Sequence, residues 1–123
     1  LILENPKSEV KVVDEEGNTP LHYFCKNYKT PKCEDLIELF IKKGADVNAT
    51  NNLGESPLHF AVFNQSLKVL IAECLLKAGA DPDIQNCEND TPVHYCIDIG
   101  RTDLIKLFVS YNANFDLTGY FFH

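Results

Sequence analysis

A pattern of Thr or Ser, then Pro, an aliphatic residue and His recurs three times in this chain, and it limits the possible folds more than any other feature. The pattern occupies residues 19–22, 56–59 and 91–94, so that its prolines lie 37 and 35 residues apart. A second landmark follows each occurrence in the same order, at residues 43–48, 77–83 and 111–116. Two landmarks that recur together at a period of about 20 to 50 residues indicate a repeat architecture.

Each unit is predicted to be a pair of helices. Thr or Ser is a favoured N-cap and Pro a favoured first helical residue, so a helix is expected to begin at each of these pairs. A second helix is predicted from apolar residues at helical spacing, as in residues 104–109. Gly44, Gly79 and Asn112 tolerate the left-handed conformation and mark the ends of the second helices. Turn-forming stretches such as residues 51–54 separate the units, which must stack to bury their apolar faces.

The Thr-Pro-Leu-His of residues 19–22 and the Gly-Ala-Asp-Val-Asn-Ala of residues 44–49 resemble the ankyrin repeat, and the resemblance extends over residues 14–118. It implies an all-α fold, an ankyrin-repeat solenoid of stacked helix-turn-helix units with hairpin-like turns between repeats. The chain then divides into a tail of a preceding repeat or N-terminal cap (1–13), three repeats (14–50, 51–85 and 86–118) and the start of a further repeat or tail (119–123).

The first two repeats are longer than the third. The distance from the helix-opening Pro to the Asp or Asn of the second landmark is 26, 24 and 22 residues in repeats 1, 2 and 3. The third distance fits the ankyrin repeat of about 33 residues. Repeat 1 therefore carries four extra residues and repeat 2 carries two, predicted to lie between the paired helices at residues 27–32 and 64–66.

The net charge of the chain is −7, from 18 acidic and 11 basic residues. A field of this sign repels the phosphates of nucleic acids and of anionic membrane surfaces, so we expect neither as a partner. A basic or neutral protein is the expected partner instead. The most hydrophobic stretch, residues 69–80, contains Glu73 and Lys77 and is shorter than the roughly 20 apolar residues that span a bilayer.

The five cysteines are odd in number and irregularly spaced, which argues against a secreted disulfide framework. We expect a reducing intracellular compartment, in the first place the cytoplasm, with the nucleus as an alternative. The chain begins with Leu1 rather than Met, and we interpret it as a piece of a longer protein.

The three repeated histidines, His22, His59 and His94, are the first candidates for chemistry. A His three residues after its cap can hydrogen-bond that cap and the turn of the next repeat, and in ankyrin repeats this His is structural. Repeats about 10 Å apart are too distant to share one metal ion. Cys25 lies three residues after His22, but no orienting acid and no Gly-rich phosphate loop accompany it. We expect no catalytic residues, no cofactor and no metal, and therefore no enzyme in this chain.

The resemblance implies a concave binding face made of the tips of the turns and the exposed side of each first helix. The matching positions are Glu15, Glu16, Asn18, Lys26 and Asn27 in repeat 1, Asn52, Leu53, Glu55, Phe63 and Asn64 in repeat 2, and Cys87, Glu88, Asp90, Asp98 and Ile99 in repeat 3.

These positions hold six carboxylates and one lysine, with Leu53, Phe63 and Ile99 as apolar anchors. We expect a partner protein with a segment that carries Lys or Arg near one or two apolar side chains. In the alternative interpretation the acidic residues only keep the chain soluble, and Phe63 packs on the loop beside it.

Asn48 matches the asparagine of ankyrin turns that resemble substrates of the intracellular asparaginyl hydroxylase, which makes it a candidate hydroxylation site. Repeats 2 and 3 have Asp83 and Asp116 at the matching position.

The predicted function is a protein–protein interaction module of a larger intracellular signalling, scaffold or host-interaction protein. Two alternatives stay open: a regulatory ankyrin segment of a multidomain enzyme, and an array that senses a small ligand. The acidic face argues against a ligand rich in phosphate.

Overall fold

The structure, a computed structural model, describes residues 11–66 and 69–115. Among these residues there are six α-helices, arranged as three consecutive pairs, and no strand. The helices are α1 (Pro20–Asn27), α2 (Cys33–Lys42), α3 (Pro57–Ala61), α4 (Leu70–Lys77), α5 (Pro92–Ile99) and α6 (Thr102–Ser110). The predicted all-α solenoid is confirmed. Expectations for residues 1–10 and 116–123, which include most of the predicted terminal segments, lie outside the described residues.

The first helix of each pair begins at a capped proline. Thr19, Ser56 and Thr91 have extended backbone, and each hydroxyl oxygen accepts a hydrogen bond from the backbone N–H three residues later. Proline follows each cap, where it has no N–H to leave unsatisfied and its fixed φ suits the first turn. The predicted starts of all three first helices are therefore confirmed.

The second helices have no side-chain cap and are held by packing. Helix α2 buries Ile37 and Phe40, and helix α6 buries Leu104 and Phe108. Residues three and four apart lie on one helix face, so each helix turns one apolar stripe towards the core. As predicted, a residue with positive φ follows each second helix: Gly44 (98°), Gly79 (98°) and Asn112 (59°).

The turns between repeats share one hydrogen-bond pattern. In the middle turn the side-chain oxygen of Asn51 accepts from the backbone N–H groups of Leu53 (3.0 Å) and Glu55 (2.9 Å). Asp14 and Asn86 make the corresponding bonds in the other two turns. A side chain that accepts from the backbone two and four residues ahead fixes the turn locally.

Neighbouring turns are joined by single backbone hydrogen bonds. The N–H of Asn52 donates to the carbonyl of Glu16, and the N–H of Cys87 donates to the carbonyl of Leu53, both over 2.9 Å. Helix α3 contacts both α1 and α5, and α2 contacts α4. The turns and the first helices of successive repeats therefore lie side by side and form one continuous surface.

The loops within the helix pairs differ in length as predicted. Residues 28–32 connect α1 to α2, whereas only residues 100–101 connect α5 to α6. Three of the four extra residues of repeat 1 thus lie in its loop, and the fourth lengthens α2 to 10 residues against 9 in α6. Tyr28 of the long loop stacks on Phe24, with ring centroids 4.4 Å apart.

Candidate binding groove

Three aromatic side chains, Tyr23, Phe60 and Tyr95, form a row along the first helices. Each directly follows the repeated histidine of its own repeat. The Phe60 ring packs edge-on against His22 of the preceding repeat, and Tyr95 packs in the same way against His59, both with centroids 5.0 Å apart. We call these three side chains the aromatic row.

None of the aromatic row was predicted from the sequence as a set of site residues. The sequence does contain a signal that could have found the row: an aromatic residue directly follows the repeated His in all three repeats. The row forms only when the repeats stack, because each ring contacts a ring of a neighbouring repeat: Phe60 contacts His22, Tyr95 contacts His59, and Tyr23 contacts Phe60.

A line of hydrogen-bonded polar side chains runs beside the aromatic row in repeats 1 and 2. The Tyr23 hydroxyl donates to the carboxylate of Asp14 and accepts from the Asn18 amide. The Asn18 oxygen accepts from the Asn51 amide over 2.9 Å. The hydrogen bond from Tyr23 lowers the pKa of Asp14, and the same bond raises the pKa of the tyrosine.

The line continues into repeat 3 through Glu55. The Asn51 amide donates to Glu55 Oε1 (3.0 Å), and the Tyr95 hydroxyl donates to Glu55 Oε2 (2.8 Å). Tyr95 in turn accepts from the Asn86 amide over 2.7 Å. Burial and the adjoining carboxylate raise the pKa of Tyr95. Both oxygens of Glu55 are therefore held by neutral donors, and the carboxylate has a fixed direction.

The repeated histidines join one repeat to the next. The backbone N–H of Thr19 donates to His22 Nδ1 (3.0 Å), so Nε2 carries the proton and donates to the carbonyl of Glu55 (2.8 Å). His59 bonds its own cap in the same way and donates from Nε2 to the carbonyl of Asp90 over 2.9 Å. The predicted pairing of cap and next turn is confirmed for both histidines.

Burial lowers the pKa of His59 to about 4 and also lowers the pKa of His22. A proton added at Nδ1 would face the N–H of the cap, another donor, so each imidazole is held in its neutral form. A buried neutral histidine with both nitrogens engaged has no atom available for catalysis or for a metal.

Two adjoining cavities open where the turns meet the first helices of repeats 1 and 2. The first has a volume of about 280 Å³, and its polar walls include Glu15, Glu16 and Asn52, with Leu53 as an apolar wall. The second has a volume of about 180 Å³ and is lined by Lys26, Glu55, Phe60 and Phe63. Glu55 and Phe60 line both cavities. We call the surface that contains the two cavities the groove.

The predicted contact residues divide into three groups by exposure. Eleven are exposed: Glu15, Glu16, Lys26, Asn27, Asn52, Leu53, Phe63, Cys87, Glu88, Asp98 and Ile99. Glu55 is half-buried, and Asn18, Asn64 and Asp90 are buried. The groove brings together the members from repeats 1 and 2, whereas Glu88, Asp98 and Ile99 of repeat 3 line neither cavity.

The three buried members make hydrogen bonds that cross the junctions between repeats. Asn64 is 2% exposed, and its amide donates to the carbonyls of Cys25 (3.0 Å) and Tyr28 (2.9 Å) at the end of α1. Asn18 belongs to the polar line described above, and Asp90 supplies the carbonyl that receives His59. Asn64 and the carbonyl of Asp90 are thus engaged with the preceding repeat, whereas Asn18 also lines the first cavity.

Arg101 has in repeat 3 a role similar to that of Asn64 in repeat 2. Its guanidinium donates to the carbonyl of Val62, just after α3, and makes a two-point contact with Asp103. The hydrogen bond from Arg101 lowers the pKa of Asp103. A polar side chain in the inter-helix loop thus bonds carbonyls at the end of the preceding repeat's first helix.

Asn48, the candidate hydroxylation site, lies at the junction of repeats 1 and 2. Its side-chain oxygen accepts from the backbone N–H of Asp81 (2.8 Å), and its amide points to the carbonyl of Gly79 (3.4 Å). Asp83 accepts from Asn114 in the same manner at the next junction. Hydroxylation of Asn48 stays a prediction, and an enzyme would have to open this turn to reach the side chain.

The cysteines are free thiols, of which Cys25, Cys33, Cys74 and Cys96 are buried. The Sγ atoms of Cys33 and Cys74 lie 3.7 Å apart. Burial raises the pKa of Cys74 and of Cys96 to about 12, and raises that of Cys25 as well. A thiol that stays protonated is a poor nucleophile, so Cys25, Cys74 and Cys96 serve as small core side chains.

Within the described ranges, no group of three or more His, Cys, Asp or Glu side chains is placed to hold a metal ion. The helices in the same part of the chain are also too short or too polar to cross a membrane.

Comparison with known proteins agrees with this geometry. A family model described as ankyrin repeats in three copies matches residues 1–83, and one for a single ankyrin repeat matches residues 88–120. The chain belongs to the ankyrin-repeat family. Ankyrin repeats are protein-interaction modules, and the residues matched are repeats rather than a catalytic domain.

Similar ankyrin regions occur in protein kinases of Dictyostelium discoideum. The chain is 48% identical to stress-activated protein kinase alpha over 96% of its own length and 18% of the kinase. It is 45% identical to a probable serine/threonine-protein kinase over 97% of its length and 14% of that protein. A third relative, ankyrin repeat-containing protein kinase A, is 42% identical over 92% of this chain and 8% of the kinase. The chain thus spans less than a fifth of each relative.

Proposed function

We propose that this ankyrin chain binds another protein through the groove, and that the bound segment carries a basic and an apolar side chain. The observation that supports this is the combination of exposed apolar anchors with carboxylates on one surface. Leu53 is 57% exposed and Phe63 is 43% exposed, beside Glu15, Glu16 and Glu55. A few apolar anchors usually dominate the affinity of an interface, while charges steer the partner and set specificity.

Phe63 also bears on the alternative in which it only packs on its own loop. Its ring lies 5.6 Å from that of Tyr95, a tilted contact with the next repeat. The other part of the ring is open to solvent at the second cavity. An aromatic side chain that is fixed on one side and open on the other is suited to receive a partner's apolar side chain.

The proposal is tested by capture of partners from cell extract. The unchanged chain is compared with the triple variant Leu53→Ala, Phe63→Ala, Ile99→Ala at about 50 and about 500 mM salt, and circular dichroism confirms retained helicity. The double variant Ile41→Ala, Val109→Ala is the control, because it removes exposed apolar side chains from the second helices instead.

We expect a specific protein that is lost with the triple variant, kept with the control and weakened by salt. If the triple variant retains the same protein, the binding surface lies elsewhere, and the long loop of residues 28–32 is the next surface to test.

A second candidate function is favoured by the comparisons. We infer that the chain is the ankyrin segment of a longer protein kinase, because relatives that cover nearly all of it are named as kinases and are at least 42% identical. An antibody raised against this chain should precipitate a polypeptide several times longer that phosphorylates a generic substrate such as myelin basic protein. Precipitation of a polypeptide without kinase activity would count against this function.

We also propose a cytoplasmic location. Its support is the set of buried free thiols, which is typical of proteins kept in a reducing compartment. Recovery of the protein mainly from the secreted or membrane fraction of its cells would contradict this location.

A further inference from the structure

The first cavity of the groove has a carboxylate in a fixed position. Glu55 lines it, and both oxygens of Glu55 already accept from neutral donors, the Asn51 amide and the Tyr95 hydroxyl. A carboxylate offers about four acceptor sites, so about two remain for another donor. Because its direction is set before any ligand binds, a ligand loses less free energy in ordering it.

No ion pair within the described residues engages this carboxylate. Among residues 11–66 and 69–115, Glu55 has no Lys, Arg or His nitrogen within 4.0 Å of its oxygens. Glu15 and Glu16 lie on the same cavity and are exposed. The first cavity therefore combines one hydrogen-bonded and two exposed carboxylates, and this charge favours a cation.

Two further walls of the first cavity, Phe60 and Leu53, are apolar. Phe60 is half-buried against His22, and Leu53 lies at the tip of the turn. An aromatic face attracts a cation within about 6 Å of its centre, and a planar guanidinium stacks on such a face while it bonds a carboxylate with two N–H groups. Asn18, Asn51 and Asn52 complete the lining.

We propose that the first cavity is the seat of one arginine side chain of the partner, with its guanidinium bonded to Glu55 and stacked on Phe60. This inference rests on the proposed function, because it assigns the basic side chain of the bound segment to a single place in the groove. The volume of about 280 Å³ has room for the head of one arginine together with part of its stem.

Lys26 makes the charge of the second cavity different from that of the first. It lines the second cavity together with Phe60 and Phe63 but does not line the first. Lys26 offsets the charge of Glu55 in the second cavity, which makes a basic side chain less favoured there than in the first, and two phenylalanine walls favour an apolar one. The partner segment therefore presents arginine to the first cavity and an apolar side chain to the second.

The experiment is a titration of the isotope-labelled chain, followed by NMR amide shifts. The probe is an acetylated and amidated peptide, Gly-Arg-Gly-Leu-Gly, and it is compared with the same peptide in which citrulline replaces arginine. Citrulline keeps the shape of arginine and removes its charge. We expect shifts at Leu53, Glu55 and Phe60, and affinity for the arginine peptide higher by about fivefold or more.

Variants then show which carboxylate causes the preference for the arginine peptide. Glu55→Gln should remove most of the preference for arginine over citrulline. The double variant Glu15→Gln, Glu16→Gln changes only exposed side chains, and should weaken the preference by about twofold without a change in thermal stability. The matched control, Glu34→Gln with Glu38→Gln, removes the same charge from exposed positions of α2 and should leave the preference unchanged.

Three outcomes would overturn the inference. They are equal affinity for the two peptides, shifts confined to residues outside the groove, and an equal loss of preference in the α2 control. If one of them occurs while the triple alanine variant still loses its protein partner, the arginine seat is wrong and the proposed function stands. If the triple variant also keeps its partner, both are wrong.

Discussion

At the scale of single residues, the imidazole of His59 stabilises the junction between repeats 2 and 3. It is fully buried, it accepts from the backbone N–H of Ser56, and it donates to the carbonyl of Asp90. Both bonds require the neutral ring with its proton on Nε2. Burial accordingly lowers the pKa of His59 to about 4, below the value of about 6.5 expected in the unfolded chain.

The stability of the fold should therefore fall as the pH is lowered from neutral to 5. Between about pH 6.5 and pH 4 the unfolded chain binds a proton at His59 that the folded chain does not, so unfolding becomes more favourable with every step down. At pH 5, protonation of His59 in the unfolded chain lowers the free energy of unfolding by about 2 kcal/mol, and His22 acts in the same direction. Urea unfolding followed by circular dichroism at pH 7.5 and pH 5.0 measures the change.

The variant His59→Gln is the control for this pH effect. Glutamine does not titrate, so the free energy of unfolding should be lower at pH 7.5 and should depend less on pH. If the unchanged chain and this variant lose the same free energy between the two pH values, other groups account for the pH dependence.

Asn64 leads to a second prediction at this scale. Its two hydrogen bonds satisfy the carbonyls of Cys25 and Tyr28, the first of them in a buried position. Asn64→Ala should lower the free energy of unfolding by about 2 kcal/mol, because two acceptors lose their donor. Gln65→Ala, at the exposed neighbouring position, should change it by less than about 0.5 kcal/mol. Equal and small effects in urea unfolding would show that water replaces the amide at no cost.

At the scale of structural elements, the turns between repeats depend on a residue with positive φ. Gly54 has a φ of 78°, and a Cβ atom there would lie 3.1 Å from the Cα of Asn86 in the next turn. Gly100 has the same φ, but a Cβ there would meet nothing within 4 Å. The two glycines therefore have the same backbone requirement and differ in how closely a neighbouring turn approaches.

Gly54→Ala should destabilise the fold more than Gly100→Ala. The second variant has only the conformational cost of a left-handed alanine, about 1 kcal/mol. The first adds a displacement of the neighbouring turn, and we expect a total of about 2 kcal/mol or more. Thermal unfolding of both variants measures the difference, and equal melting temperatures would mean that the turns separate without loss of stability.

At the scale of the whole molecule, stability comes from contacts between neighbouring repeats. Repeat 3 makes three contacts with repeat 2. The carbonyl of Asp90 accepts a hydrogen bond from His59, the ring of Tyr95 packs against His59, and the guanidinium of Arg101 donates to the carbonyl of Val62. In an array of this kind each repeat contacts only its neighbours, so the loss of an end repeat removes one complete interface.

A chain shortened to residues 1–85 should therefore be less stable than the full chain by several kcal/mol, although it keeps both helix pairs of repeats 1 and 2. The shortened chain loses the contact between α3 and α5, and with it the Tyr95 ring that packs against His59. Urea unfolding followed by circular dichroism gives the comparison. An unchanged midpoint would show that repeats 1 and 2 are stable without their neighbour.

The sequence by itself determined the elements of this protein and their order. Two kinds of local signal can be recognised in the sequence, because each depends only on neighbours within a few residues. They are the caps at Thr19, Ser56 and Thr91 and the left-handed positions at the ends of the second helices. The same is true of the acidic, partly apolar character of the turns.

Only the tertiary structure decided which polar and aromatic side chains face the solvent. Asn64 follows a helix as an exposed loop residue would, yet it is buried because the carbonyls of Cys25 and Tyr28 in the preceding repeat lie opposite its amide. Glu55 is held by Tyr95, 40 residues further along the chain. The partners of such side chains are brought together by stacking of the repeats, which no short stretch of sequence contains.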